Sequence, residues 1–122
     1  MESKVTKDSF IYENVEYYCS LELAMELIGG KWKTMMIYHL KDGAMRSGDL
    51  QRTLRGIANK MFTQTARELE HSGLIERIVY PVVPPKVEYK LTARGESVLP
   101  IILDLAKWGI EIGIGNHHCS ND

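Results

Sequence analysis

The sequence predicts an α+β fold, mostly helical, and three observations predict it. First, five segments carry apolar residues at the three- and four-residue spacing of a helix buried on one side. Second, residues 74–91 are rich in β-branched residues and are interrupted by Pro81, Pro84 and Pro85, which reads as two strands joined by a stiff loop. Third, 122 residues with a hydrophobic fraction of 44% and a charged fraction of 25% suit one globular domain spanning 1–122.

The elements follow in chain order. Residues 1–18 mix polar and aromatic side chains (Phe10, Tyr12, Tyr17, Tyr18) and are expected to form an N-terminal arm to which no regular element is assigned. Ser20 is expected to cap a first helix carrying Leu21, Ala24, Met25 and Ile28, which Gly29 and Gly30 end. A second helix, 31–41, places Trp32, Met35, Met36 and Leu40 inward. Residues 44–46 make a stub of strand. Ser47 or Gly48 is expected to cap a third helix through Leu54, with Asp49 favourably placed in its first turn.

After the turn Arg55-Gly56-Ile57, a fourth helix begins at Ala58 or Asn59 and stops at Gly73. Its Phe62, Ala66 and Leu69 share one face. Lys60, Thr63, Gln64, Arg67 and His71 share the other. Val87, Tyr89 and Leu91 line one face of the second strand of the 74–92 hairpin. Thr92 caps a last helix, 93–113, in which Pro100 should introduce a bend or mark where two segments meet. The tail, 114–122, is expected to be loose.

Helix, glycine turn and helix over 47–72, followed by a hairpin over 74–92, is the order of a winged helix-turn-helix. Its wing would be an antiparallel sheet of two to three strands. Charge supports a nucleic-acid partner. The net charge is only −1, yet residues 31–90 hold eleven Lys or Arg against six Asp or Glu, while residues 1–30 are at −4 and 91–122 at −2. Neutralising phosphates needs only such a local surplus.

The chemistry of the fourth helix fits double-stranded operator DNA. Gln64 can bond bidentately to adenine, Arg67 to guanine, and Thr63 can touch a thymine methyl. Asn59 and Lys60 at the helix start and Arg55 in the turn are candidates for phosphate contact, Lys86 for a phosphate or the minor groove, and Arg46 is a further DNA-binding candidate. A polar helical face is more often merely solvated. Here its neighbours, a preceding helix and a proline-stiffened hairpin, tip the balance.

Several strings resemble a known family. Glu26-Leu27-Ile28-Gly29-Gly30-Lys31-Trp32, Lys60-Met61-Phe62-Thr63-Gln64, Arg67-Glu68-Leu69-Glu70, Gly73-Leu74-Ile75 and Val83-Pro84-Pro85-Lys86-Val87-Glu88-Tyr89 look like those of the HxlR-type winged helix-turn-helix regulators, relatives of the MarR regulators. The resemblance covers about 19–109. It implies a homodimer that binds operator DNA and represses or activates nearby genes. Four positions depart from the family pattern: Ser47 where Phe is usual, Arg55 where Pro is usual, Ala58 where Ser is usual, and Lys86 where Arg is usual. Ala58 cannot cap the recognition helix, at a cost of about 1 kcal/mol.

The last helix, with Ile101, Leu105, Trp108 and Ile112, and the N-terminal arm are expected to form the dimer interface and set two recognition helices one DNA turn apart. Closure of the monomer's own core is the competing use of that stripe. In some members of the resembled family a cysteine near Cys19 senses oxidants or electrophiles. A helix N-terminus favours the reactive thiolate, and Glu16 and Glu22 nearby oppose it. Cys19 is therefore either a sensor of an oxidant or small-molecule effector, or a small residue packed at the interface.

Other classes are disfavoured. Cys19 and Cys119 form no CxxC pair, and His117, His118 and Cys119 lack further ligands at metal spacing, so neither metal nor cofactor is expected. Gly29-Gly30 lacks the GKS/T ending of a phosphate loop. No nucleophile–base pattern marks an enzyme. No apolar run is long enough to cross a membrane, and residues 1–8 are polar, so a cytoplasmic protein is expected. A winged-helix module for protein–protein contact is the alternative. It would carry apolar or acidic residues where Lys60, Thr63, Gln64 and Arg67 stand.

Overall fold

A computed structural model describes residues 10–113. Strands β1 (Phe10–Tyr12) and β2 (Val15–Tyr17) form a hairpin. Helices α1 (Ser20–Ile28) and α2 (Lys31–His39) follow. Strand β3 (Met45–Arg46) leads into α3 (Ser47–Thr53) and α4 (Asn59–His71). Strands β4 (Ile75–Tyr80) and β5 (Lys86–Leu91) make the wing, and α5 (Ala93–Ile112) closes the chain. The fold class read from the sequence is the one observed, an α+β winged helix-turn-helix. Calls on the 114–122 tail, its His117–His118–Cys119 cluster and the first nine residues lie outside the described residues.

The core is assembled from the faces that periodicity marked, with Ile37 added and with Trp32 and Met35 only partly buried against it. Met36, Ile37 and Leu40 of α2 and its C-cap meet Leu50 and Leu54 around α3, Phe62, Ala66 and Leu69 of α4, and Tyr89, Leu91, Leu99 and Ile102 from β5 and α5. Phe62 and Tyr89 stack edge-to-face at 6.2 Å, which seats the fourth helix on the wing sheet. That sheet is antiparallel in the order β3-β5-β4. β3 pairs through Met45↔Tyr89 and Arg46↔Glu88, and β4 through Ile75↔Leu91 to Tyr80↔Lys86.

Two junctions need glycine. Gly73 adopts φ 77° just past α4, the left-handed position that ends the helix and turns the chain into β4. Gly95 lies under the same turn, where a Cβ would collide with the Leu74 carbonyl. Thr92 caps α5 as expected, its hydroxyl accepting from the Gly95 N–H at 3.2 Å and donating to the Gly73 carbonyl. Helix α5 runs unbroken across Pro100.

Three expectations are corrected. Residues 10–17 of the arm are a hairpin with a two-residue turn, Glu13 and Asn14, both at positive φ (49° and 66°), as a type I′ turn requires. Ser20 is the first residue of α1 rather than its cap. The cap position is Cys19, which makes no side-chain capping bond. Ser47 and Gly48 likewise fall inside α3, whose N-cap is Arg46, because the extended chain of β3 runs directly into the helix.

Candidate nucleic-acid interface

Helix α4 separates its two faces cleanly. Phe62, Thr65, Ala66 and Leu69 are buried, while Asn59, Lys60, Thr63, Gln64, Arg67 and His71 are exposed. Its start at Asn59 has Ala58 as N-cap with no side-chain bond, so the first amides of the helix are left without a side-chain partner there. The Gln51 amide of α3 donates to Asn59 Oδ1 and ties the two helices of the motif together at this end.

The sequence-derived candidates fall into two clefts and a remainder. Asn59, Thr63 and Arg67 line one cleft of about 550 Å³ with Ser47, Gln51 and Arg77. Arg46 and Lys86 line a second, of about 410 Å³, together with Ser47, Asp49 and Arg52. Lys60 stays exposed on α4, and Arg55 is exposed in the turn before it; neither lines these clefts. Gln64 donates to Glu68 Oε2 at 3.1 Å, so it must exchange that bond for any base edge.

Two cations in the clefts were not anticipated. Arg77 stands exposed on β4 opposite Tyr89. Arg52 on α3 is bound by Asp49 three residues earlier. Arg77 is legible only through strand alternation combined with the register of β4 on β5. Arg52 sits one turn from the acidic start of α3 and reads from sequence as a surface pair.

The wing differs from a simple basic finger. Its tip is apolar, with Val83 99% exposed and Val82 51%. Lys86 is half-buried at the base of β5, where its ammonium meets Glu88 Oε2 at 3.4 Å and lies 4.7 Å from the centre of the Tyr80 ring. Tyr80 donates to Glu88 Oε1 at 3.1 Å, and that bond, aided by the Glu88 charge and by burial, pushes the phenol's pKa up. The cation named from sequence is thus held back by its own strand.

The remaining surface is of another kind. Leu21, Met25, Ile101, Leu105, Trp108 and Ile112 of α1 and α5 are all half or more exposed, although large and apolar. Cys19 is exposed beside them in sequence, immediately before α1. No helix among the described residues is long and apolar enough to cross a membrane.

Comparison with known proteins agrees with this geometry. The HxlR-like helix-turn-helix family profile matches residues 27–115. An uncharacterized HTH-type transcriptional regulator from Methanothermobacter thermautotrophicus is 53% identical over 94 residues, which are 77% of this chain and 72% of the relative. Among solved structures, the redox regulator HypR in its oxidized form has a TM-score of 0.75 at 42% identity, over 80% of this chain and 100% of that one. The reduced form of the transcriptional regulator YodB from B. subtilis has a TM-score of 0.64 at 33% identity, over 72% and 86% of the two chains. A helix-turn-helix with a three-stranded wing, matched along most of its length by these proteins, leads to one conclusion: the chain belongs to the HxlR-like helix-turn-helix family of transcriptional regulators.

Proposed function

We propose that the protein works as a homodimer of one-domain chains on operator DNA in the cytoplasm, with α4 in the major groove and the 81–86 loop on the adjacent backbone or minor groove. The observation that carries this reading is the exposed face of α4. Asn59, Lys60, Thr63, Gln64 and Arg67 are presented together while the opposite face is locked into the core. Thr63, Gln64 and Arg67 are the base readers. Asn59, Lys60, Arg46, Arg55 and Lys86 are the phosphate contacts, and Arg52 and Arg77 join them by position. A fluorescence-anisotropy titration of the DNA flanking its own gene tests this. Binding should weaken with salt at a slope of about −0.9 per phosphate contacted. Binding indifferent to salt would refute it and leave α4 as a protein-docking face.

The dimer would form through α5 and the N-terminal arm, covering the exposed apolar residues of α1 and α5. A single-chain mass by sedimentation at micromolar concentration would contradict it. Cys19 is the candidate redox sensor, supported by its exposure and by the redox regulators named HypR among the similar structures. Cys19→Ala is the cleaner test, since serine at a helix N-cap would add a capping bond. Operator release by diamide should disappear in that variant; unchanged release would remove Cys19 from the mechanism.

A further inference from the structure

The β1–β2 hairpin precedes the segment matched by the family profile, which begins at residue 27. It is nevertheless fastened to the domain. Glu13 Oε1 on its turn meets His71 Nε2 on α4 at 3.2 Å, and Arg94 donates to Tyr12 Oη at 3.0 Å. Between the hairpin, α1, α2 and α4 lies a cavity of about 530 Å³, within the range of small-molecule sites.

The lining mixes ring and aliphatic groups with both signs of charge, the acids Glu13, Glu26 and Glu68 against the bases Lys33, Arg67 and His71. Tyr12, Tyr17, Val15 and Leu27 give it apolar walls, and Glu26 gives it a carboxylate. Tyr17 is only 8% exposed, and its hydroxyl has no hydrogen-bond partner among the described residues. A buried phenol without a partner is an unmet hydrogen-bonding demand. The Glu26 carboxylate has no ion pair or hydrogen bond among the described residues, although Lys33 donates to the Glu26 carbonyl at 3.1 Å; the other lining acids are engaged, Glu68 by Lys33 at 3.5 Å and Glu13 by His71. Burial pushes the Tyr17 pKa up, and the carboxylates of Glu26, Glu22 and Glu13 push it further.

We propose that this cavity binds a small organic cation, an amine on a short apolar or aromatic body. The ammonium donates to the Glu26 carboxylate and to the Tyr17 oxygen, and the body lies against Tyr12, Val15 and Leu27. Arg67 lines both this cavity and the cleft that holds Asn59 and Thr63, so the site adjoins the exposed face of α4.

Three probes of equal size and different charge test the proposal on the full chain without DNA, so the result is independent of operator binding. They are 2-phenylethylammonium, 2-phenylethanol and phenylacetate, titrated by calorimetry and by backbone amide shifts. The ammonium should bind about tenfold tighter than either companion, with shifts confined to residues 12–17, 26–27 and 67–71. Glu26→Gln, on an exposed residue, should lose that preference, and Tyr17→Phe should weaken the ammonium by about threefold. Glu26→Gln alone decides the matter if the buried phenylalanine variant fails to fold. Equal or tighter binding of phenylacetate, no binding of any probe, shifts elsewhere, or an ammonium preference unchanged in Glu26→Gln would each overturn the proposal.

Discussion

Helices α1 and α4 begin alike and end in different roles. Both start without a side-chain capping bond, at Cys19 and Ala58. Yet α4 buries Phe62, Thr65, Ala66 and Leu69, while no residue of α1 is buried, and its Leu21 and Met25 are exposed. A helix is held by the face it buries more than by its own propensity. Thus α4 is fixed against the core with its polar side outward, whereas α1 carries apolar surface that the described residues leave exposed.

The contrast can be broken most forcefully in the core. Leu69 is fully buried in α4, so Leu69→Ala should lower unfolding free energy by about 2–5 kcal/mol in urea titrations. Leu21→Ala in α1 should cost less than about 0.5 kcal/mol when the protein is dilute enough to be monomeric. Comparable losses from both would show that α1 is packed as firmly as α4.

Operator affinity offers the next test, because the two surfaces should lose it in different ways. Arg67→Ala should weaken operator binding by about 1–3 kcal/mol and relax sequence preference, with the sedimenting mass unchanged. Leu105→Glu should weaken it by separating the chains, which the sedimenting mass would report. An Arg67 variant that altered mass and not affinity would reverse the assignment of the surfaces.

Capping is a finer probe. Ala58→Ser should stabilise by about 1 kcal/mol, since α4 is integral to the core and any gain at its start is shared by the whole domain. Cys19→Ser should slow hydrogen exchange in α1 while leaving global unfolding nearly unchanged. The smallest effect belongs to the wing. Glu88→Gln frees Lys86, and operator affinity should rise by roughly 0.5 kcal/mol with a steeper salt slope.

Most of the helical and wing framework was legible because it is written locally. The Phe62–Ala66–Leu69 spacing, the Gly73 stop, the Thr92 cap and the prolines of the 81–85 loop each act within one turn or one hairpin. The β1–β2 hairpin was not legible, because its turn is Glu-Asn, without the glycine that usually announces two positive-φ residues, and because His71, 58 residues away, holds Glu13. The clefts were read only in part. Asn59, Thr63 and Arg67 share a helix face, but Arg77 and Arg52 reach their clefts through strand register and helix crossing, which no short window contains. The hold of Glu88 on Lys86 was readable in principle, since residues two apart on a strand point the same way.

Strand β3 is only two residues long, yet it hydrogen-bonds to β5 and passes straight into α3. The first helix of the motif and the hairpin beyond the second are therefore riveted to a single plate. The gauge between α4 and the wing is set in the monomer, as between the jaws of a fixed caliper. With α4 and the wing on DNA as proposed, duplexes of different groove width would then be sorted by how far they must deform to fit.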